Sequence, residues 1–184
     1  MPHPLLVNLP NLLSVSRVLL SAVMFWAVFQ SYWTTAVAVL WLAVLTDLLD
    51  GLIARRLGAV TPLGGVLDHG SDAIFVTVTI AAGVTHGWAP AALVVMIPAA
   101  FLQYVLDSRV LKGEKLRASQ LGRYNGISYF VFAGFPVMQI VLDVTIVPFH
   151  LFEWLGWGLV ITTAISMADR AYSLLARDRE RDPG

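Results

Sequence analysis

Apolar residues along this chain come in long continuous runs, without the alternation of half-buried strands or the one-sided stripe of soluble helices. The runs lie at residues 14–32, 35–55, 66–86, 88–107, 121–142 and 149–172. Each is close to the roughly 20 residues that a membrane-crossing helix requires. The connections are short, so six spans use nearly the whole chain. This predicts an all-α integral membrane protein of six transmembrane helices, a single domain over 1–184 with a short amino-terminal segment before the first span. That segment, MPHPLLVNLPNLL, has no basic start, so no cleavable leader is expected. The tail after Ala176 is mixed in charge and is expected to fray.

Composition sharpens the assignment. Of 184 residues, 58% are hydrophobic and 13% charged, with mean hydropathy +0.74. A soluble domain carries about 25% charged residues, so lipid is the expected solvent. The chain has no cysteine, which excludes disulfides, thiol catalysis and thiolate metal sites. The formal net charge of zero gives no reason to expect a nucleic-acid partner.

The charges are unevenly placed. With six spans, all 12 basic residues fall on one side: Arg17, Arg55, Arg56, Arg109, Lys112, Lys115, Arg117, Arg123, Arg170, Arg177, Arg179 and Arg181. By the positive-inside rule that side is cytoplasmic, which puts both termini inside and the protein in the inner (cytoplasmic) membrane. Tyr32, Trp33, Trp88, Trp154 and Trp157 then form an outer interfacial belt.

Against this apolar background the segment Asp47–Asp72, DLLDGLIARRLGAVTPLGGVLDHGSD, carries four carboxylates. Asp47 and Asp50 are three apart and Asp68 and Asp72 four apart, so each pair shares a helix face. The loop between them sets the two helices side by side at the inner edge of the membrane. Four converging carboxylates need a neutralising partner. Hard divalent cations prefer such oxygen ligands and bridge to phosphates, and two of them can clamp both oxygens of a phosphoryl displacement. Gly51, Ala54, Gly64 and Gly65 leave room beside the acids, and Arg55, one turn beyond Gly51, suits a diphosphate. The plainer reading is a set of interhelical ion pairs, such as Asp50 with Arg55. Four acids against two arginines leave negative charge over, which favours the cation reading. His69, one position off the acidic face, reads as a neighbour of the site and not a ligand.

The pattern Asp47-x-x-Asp50-Gly51-x-x-Ala54-Arg55, eight residues, then Gly64-x-x-x-Asp68-x-x-x-Asp72 resembles the complete signature of the CDP-alcohol phosphatidyltransferases. Length, span number and the entry segment NLPNLLSVSR are similar to bacterial members, closest in layout to the phosphatidylglycerophosphate synthase-like ones. The resemblance implies transfer of a phosphatidyl group from CDP-diacylglycerol to a small alcohol with release of CMP, two Mg²⁺ ions (Mn²⁺ being the alternative), and a homodimer. It implies that Asp47, Asp50, Asp68 and Asp72 hold metal, with Asp50 and Asp68 bridging and Asp72 also acting as general base. Gly51, Ala54 and Gly64 would make room for the cytidine, Arg55 would hold the diphosphate, and Thr61 and Asn11 would border the nucleotide. Thr61 is equally an ordinary turn residue, and Asn11 and Ser14 are equally helix caps.

The acceptor is less marked. Lys115, Arg117 and Arg123, between the fourth and fifth spans, form a candidate pocket for an anionic acceptor, or an ordinary basic loop against anionic lipid. The run GEKLRAS only approximates the Gly-Lys-x-Lys-Thr-like run of phosphatidylglycerophosphate synthases, with Arg117 for the second lysine and Ala118 for the threonine. Glycerol 3-phosphate is the leading acceptor; inositol phosphate, a second lipid or a neutral amino alcohol are alternatives. Two other classes compete. A divalent-cation transporter would need polar residues continuing through the outer leaflet, and AVMFWAVF, TVTIAAGV and VVMIPAAF offer almost none. An idle scaffold has no use for four intact acids.

Overall fold

The computed structural model describes residues 4–57, 61–107 and 120–181. Six helices make up the fold: α1 (Pro4–Phe29), α2 (Trp33–Leu57), α3 (Pro62–Thr85), α4 (Ala92–Asp107), α5 (Gln120–Val141) and α6 (Phe149–Arg181). Two bounds differ from the sequence expectation. Residues 4–13 are the opening turns of α1 and not a segment ahead of it. Asn11 and Ser14 therefore lie inside a helix, where neither can cap one. At the other terminus α6 runs through the charged tail to Arg181.

The helices pack as a closed ring in the order α1, α2, α5, α6, α4, α3, with α3 also touching α5 across the middle. Two apolar clusters fill it. Met24, Val28, Val39, Leu40, Phe75 and Val137 tie α1, α2, α3 and α5 together. Ile80, Leu93, Ile97, Phe132 and Phe152 do the same for α3, α4, α5 and α6. Large apolar side chains also cover the outside: Leu19 and Val95 are 71% exposed and Trp154 74%. So broad an apolar exterior is stable only in lipid, and the protein is membrane-integral.

Asn11–Phe29, Trp33–Arg56 and Phe149–Ser173 are each long and apolar enough to cross a membrane, and Ala92–Asp107 is a shorter apolar helix. α3 and α5 have the length, at 24 and 22 residues, but are not among the helices apolar enough along their length to cross. They carry Asp68, Asp72 and Thr79, and Arg123, Asn125 and Gln139, polar residues that serve the interior of the bundle and its cavity.

One end of the bundle is closed by tight connections. Each contains a residue in the left-handed region, Ser31 (φ 61°), Gly87 (φ 71°) and Asp143 (φ 52°), which reverses the chain in little space. Gln139 clamps the last of them: its amide donates to the Val147 carbonyl at 3.0 Å and accepts from the Val147 N–H at 3.3 Å. Tyr32, Trp154 and Trp157 are exposed at this end, as an interfacial belt requires. Trp33 and Trp88 instead pack on each other at 5.6 Å, with His86 stacked on Trp88 at 4.7 Å and Phe149 at 5.4 Å. They join α2, α3 and α6 in addition to any lipid role.

Candidate metal and substrate site

The acids come together because of how α3 begins. Thr61, in extended conformation (φ −120°, ψ 152°), caps the helix by accepting from the Gly64 N–H at 3.0 Å, and Pro62 occupies the first turn, where its missing N–H costs nothing. Thr61, read from the sequence as a nucleotide neighbour or an ordinary turn residue, is thus the cap of α3. Asp68 and Asp72 then project toward Asp47 and Asp50 in the last turns of α2. Carboxylate oxygens of Asp47, Asp50 and Asp68 lie within 4.8 Å of one another, as do ligand atoms of Asp68, His69 and Asp72. His69 Nδ1 is 3.6 Å from Asp68 Oδ2.

At the centre stands a residue from α1. Arg17 is fully buried, and its guanidinium reaches every acid of the cluster. Nη2 lies 2.7 Å from Asp50 and 3.3 Å from Asp47. Nη1 lies 3.3 Å from Asp68, 3.2 Å from the Ser71 hydroxyl, and bonds Asp72 as well. The Ser14 hydroxyl donates to Asp50 at 3.3 Å. The Asp50–Arg55 pair of the plainer reading is absent among the described residues; Asp50 Oδ2 meets Arg17 and Ser14 instead. Arg55 is exposed and folds back over Gly51, where a Cβ would sit 3.2 Å from its Nη1. Arg17 also leaves the loop-charge count, because it is an interior residue.

The donor set suits a divalent metal: four hard carboxylates on α2 and α3, which flank α1 instead of lying side by side as the sequence suggests, with one guanidinium charge set against four negative ones. The acidic cluster is therefore one that could hold a metal ion.

Asp47 and Asp72 also form one wall of a cavity of about 680 Å³ that runs between α3, α4, α5 and α6. Arg123, Asn125 and Arg170 line the same cavity, with Gln103, Tyr104 and Ser166. Arg170 stacks over the Tyr104 ring at 4.8 Å, and its Nε lies 3.7 Å from Asp107. Two arginines thus line the cavity that two of the acids also line.

The remaining sequence candidates fall around this centre. Gly51, Ala54 and Gly64 are half-buried on α2 and α3. The Asn11 carboxamide oxygen would be 3.5 Å from a Cβ at Gly64, so Asn11, Thr61 and Gly64 are neighbours. Arg123 lines the cavity. Lys115 and Arg117 lie outside the described residues. Arg17, Arg170 and Tyr104 were not singled out by the sequence. For Arg17 the signal was present: a charge within an apolar run long enough to span is functional by default, whether basic or acidic.

Comparison with known proteins agrees with the site. A family profile described as CDP-alcohol phosphatidyltransferase matches residues 7–168. Over 70 residues the chain is 41% identical to the CDP-diacylglycerol–glycerol-3-phosphate 3-phosphatidyltransferase of Aquifex aeolicus (strain VF5), covering 38% of this chain and 39% of that one. It is 39% identical over 77 residues to the enzyme of the same name from Pseudomonas fluorescens, covering 40% of each. A cardiolipin synthase (CMP-forming) of Rattus norvegicus is 38% identical over 72 residues, covering 39% of this chain and 24% of that protein. The matches therefore span about two fifths of the length of the bacterial relatives. No solved structure gives a significant match. With the profile covering most of the chain and the four acids of the signature gathered together, the protein belongs to the CDP-alcohol phosphatidyltransferase family.

Proposed function

We propose that the protein transfers the phosphatidyl group of CDP-diacylglycerol to glycerol 3-phosphate, releasing CMP, at the cytoplasmic face of the inner membrane. The observation that carries this reading is the shared lining: Asp47 and Asp72 belong both to the acid cluster and to the cavity that Arg123 and Arg170 also line. An anionic alcohol held by the two arginines would place its hydroxyl toward Asp72. The names of the two bacterial relatives support glycerol 3-phosphate over inositol phosphate.

Asp47, Asp50, Asp68 and Asp72 would hold two Mg²⁺ ions, which supply charge stabilisation for the diphosphate and the leaving CMP. The chain's own residues do the rest. Gly51, Ala54 and Gly64 leave space for the nucleotide, with Asn11 and Thr61 at its border. Arg55, exposed above Gly51, binds the diphosphate. Asp72 takes the proton of the acceptor hydroxyl. The freed oxygen attacks the phosphorus bearing the diacylglycerol, the bond to the CMP oxygen breaks, and CMP departs with the electron pair. Apolar packing beyond the acids, from Met24, Val28, Val39, Phe75 and Val137, disfavours a path for ions through the bundle.

Purified protein given Mg²⁺, CDP-diacylglycerol and one alcohol at a time should release CMP with glycerol 3-phosphate. Release only with inositol phosphate or a second lipid would move the acceptor. No release with any alcohol would end the reading. Both termini should be labelled only from the cytoplasm and a tag near Trp88 only from outside, since the basic loops lie on one side. The homodimer belongs to the same reading, and crosslinking in native membranes tests it.

A further inference from the structure

Arg17 interrupts the apolar run LLSVSRVLLSAV, a position where charge is costly and must find partners. Its partners are the very carboxylates that the proposed function assigns to metal. Two nitrogens, Nη1 and Nη2, hold four acids from two helices, while Nε has no hydrogen-bond partner among the described residues. A guanidinium and a divalent cation need the same oxygen lone pairs, and two cations at such range repel.

We infer that Arg17 is an internal counter-cation that competes with divalent metal for the four aspartates, so that metal enters as the guanidinium leaves their centre. The inference rests on the acids being the metal ligands. It follows from the chemistry of the cluster on the page. One guanidinium offsets one of four negative charges, enough to keep α2 and α3 together and too little to satisfy the site. Two divalent ions offset all four, so metal displaces Arg17 once its concentration is sufficient. Arg17 thereby sets the metal threshold of the enzyme and holds the acids in register below it. The alternative is a static brace, a buried ion-pair cluster that fastens α1 to α2 and α3 whether or not metal is bound.

The two differ in sign. In the full-length protein, Mn²⁺ binding can be followed by electron paramagnetic resonance and unfolding by a thermal melt, with EDTA or with Mn²⁺. Competition predicts that Arg17→Gln binds Mn²⁺ about tenfold tighter or more, because a charge opposed to the ligand is gone. It also predicts a lower midpoint in EDTA that Mn²⁺ largely restores. Unchanged or weaker Mn²⁺ binding, or an equal loss of midpoint in both conditions, makes Arg17 a brace and overturns the inference. Arg17→Lys keeps the charge but loses the fork, so its Mn²⁺ affinity should fall between the two, which serves if the Gln variant does not fold. Asp50→Asn should weaken Mn²⁺ binding. If it does not, the metal binds elsewhere and the ligand reading itself fails, taking the competition with it.

Discussion

The two ends of the bundle solve opposite problems with the same helices. At the end with tight turns, buried polar groups are few and locally satisfied, as in the Gln139–Val147 clamp, and aromatic rings fill the space. At the acidic end the chain buries an arginine among four aspartates and leaves a cavity of about 680 Å³ beside them. The first arrangement lowers energy by itself. The second collects charge that needs a ligand, and small residues replace side chains that would have packed. The contrast separates the scaffold from the machinery: substitutions at the turn end should change stability, and substitutions at the acidic end should change chemistry.

The largest effect that would test this contrast is loss of a carboxylate. Asp50→Asn or Asp68→Asn removes a charge and a metal ligand together and should abolish transfer. The protein should remain folded and inserted, because Arg17 is then left with three acids instead of four. Near-normal CMP release in both variants would break the comparison outright. Asp72→Asn should be graded: turnover falls by about 10²–10⁴-fold if Asp72 is the base, while CDP-diacylglycerol binding survives. Loss of donor binding in step with rate would make Asp72 mainly a metal holder.

The acidic end was legible in the sequence because its signal is local. Spacings of three and four on two adjoining helices fix which side chains share a face, and an apolar surround makes each acid conspicuous. The six helices were legible for the same reason, since each run is long and continuous. What stayed hidden depends on distant parts of the chain. Arg17 passed for a loop charge because α1 was expected to start near residue 14, whereas the helix begins at Pro4 and carries Arg17 deep into the bundle. Arg170 and Tyr104 meet only because α4 and α6 are neighbours in the ring. The polar residues Asp68 and Asp72 of α3, and Arg123 and Asn125 of α5, belong likewise to the acid cluster and the cavity, which only the fold brings together.

A smaller effect is expected at the arginines of the cavity. Arg170 is held by Asp107 and by the Tyr104 ring, so it presents a guanidinium to the cavity in one orientation. Arg170→Gln should raise the KM for glycerol 3-phosphate about 10- to 100-fold, the worth of a hydrogen bond to a charged group, with a lesser change in kcat. The KM for CDP-diacylglycerol should not move. Equal changes in both KM values would show that Arg170 supports the fold instead of the acceptor.

The smallest and most discriminating test places one methyl group at each end. In α5, a Cβ at Gly134 would lie 2.8 Å from a Leu40 methyl of α2, closer than such atoms come. In α2, a Cβ at Gly51 would lie 3.2 Å from the Arg55 guanidinium, which is exposed and free to swing outward. Replacing a helical glycine by alanine gains roughly 0.5–1 kcal/mol of backbone freedom lost in the unfolded chain. Overpacking a core costs about 1–3 kcal/mol. At Gly134 the cost exceeds the gain, so Gly134→Ala should lower the thermal midpoint by a few degrees while activity per folded molecule stays the same. At Gly51 nothing rigid opposes the methyl, so Gly51→Ala should leave the midpoint unchanged or raised. It should nonetheless weaken donor binding, because the methyl fills nucleotide space and displaces Arg55. Melting curves and CDP-diacylglycerol affinity measured on the pair decide the matter. If both variants lose stability and keep donor affinity, Gly51 is a packing residue like Gly134, and the division between scaffold and machinery does not run where the acids suggest.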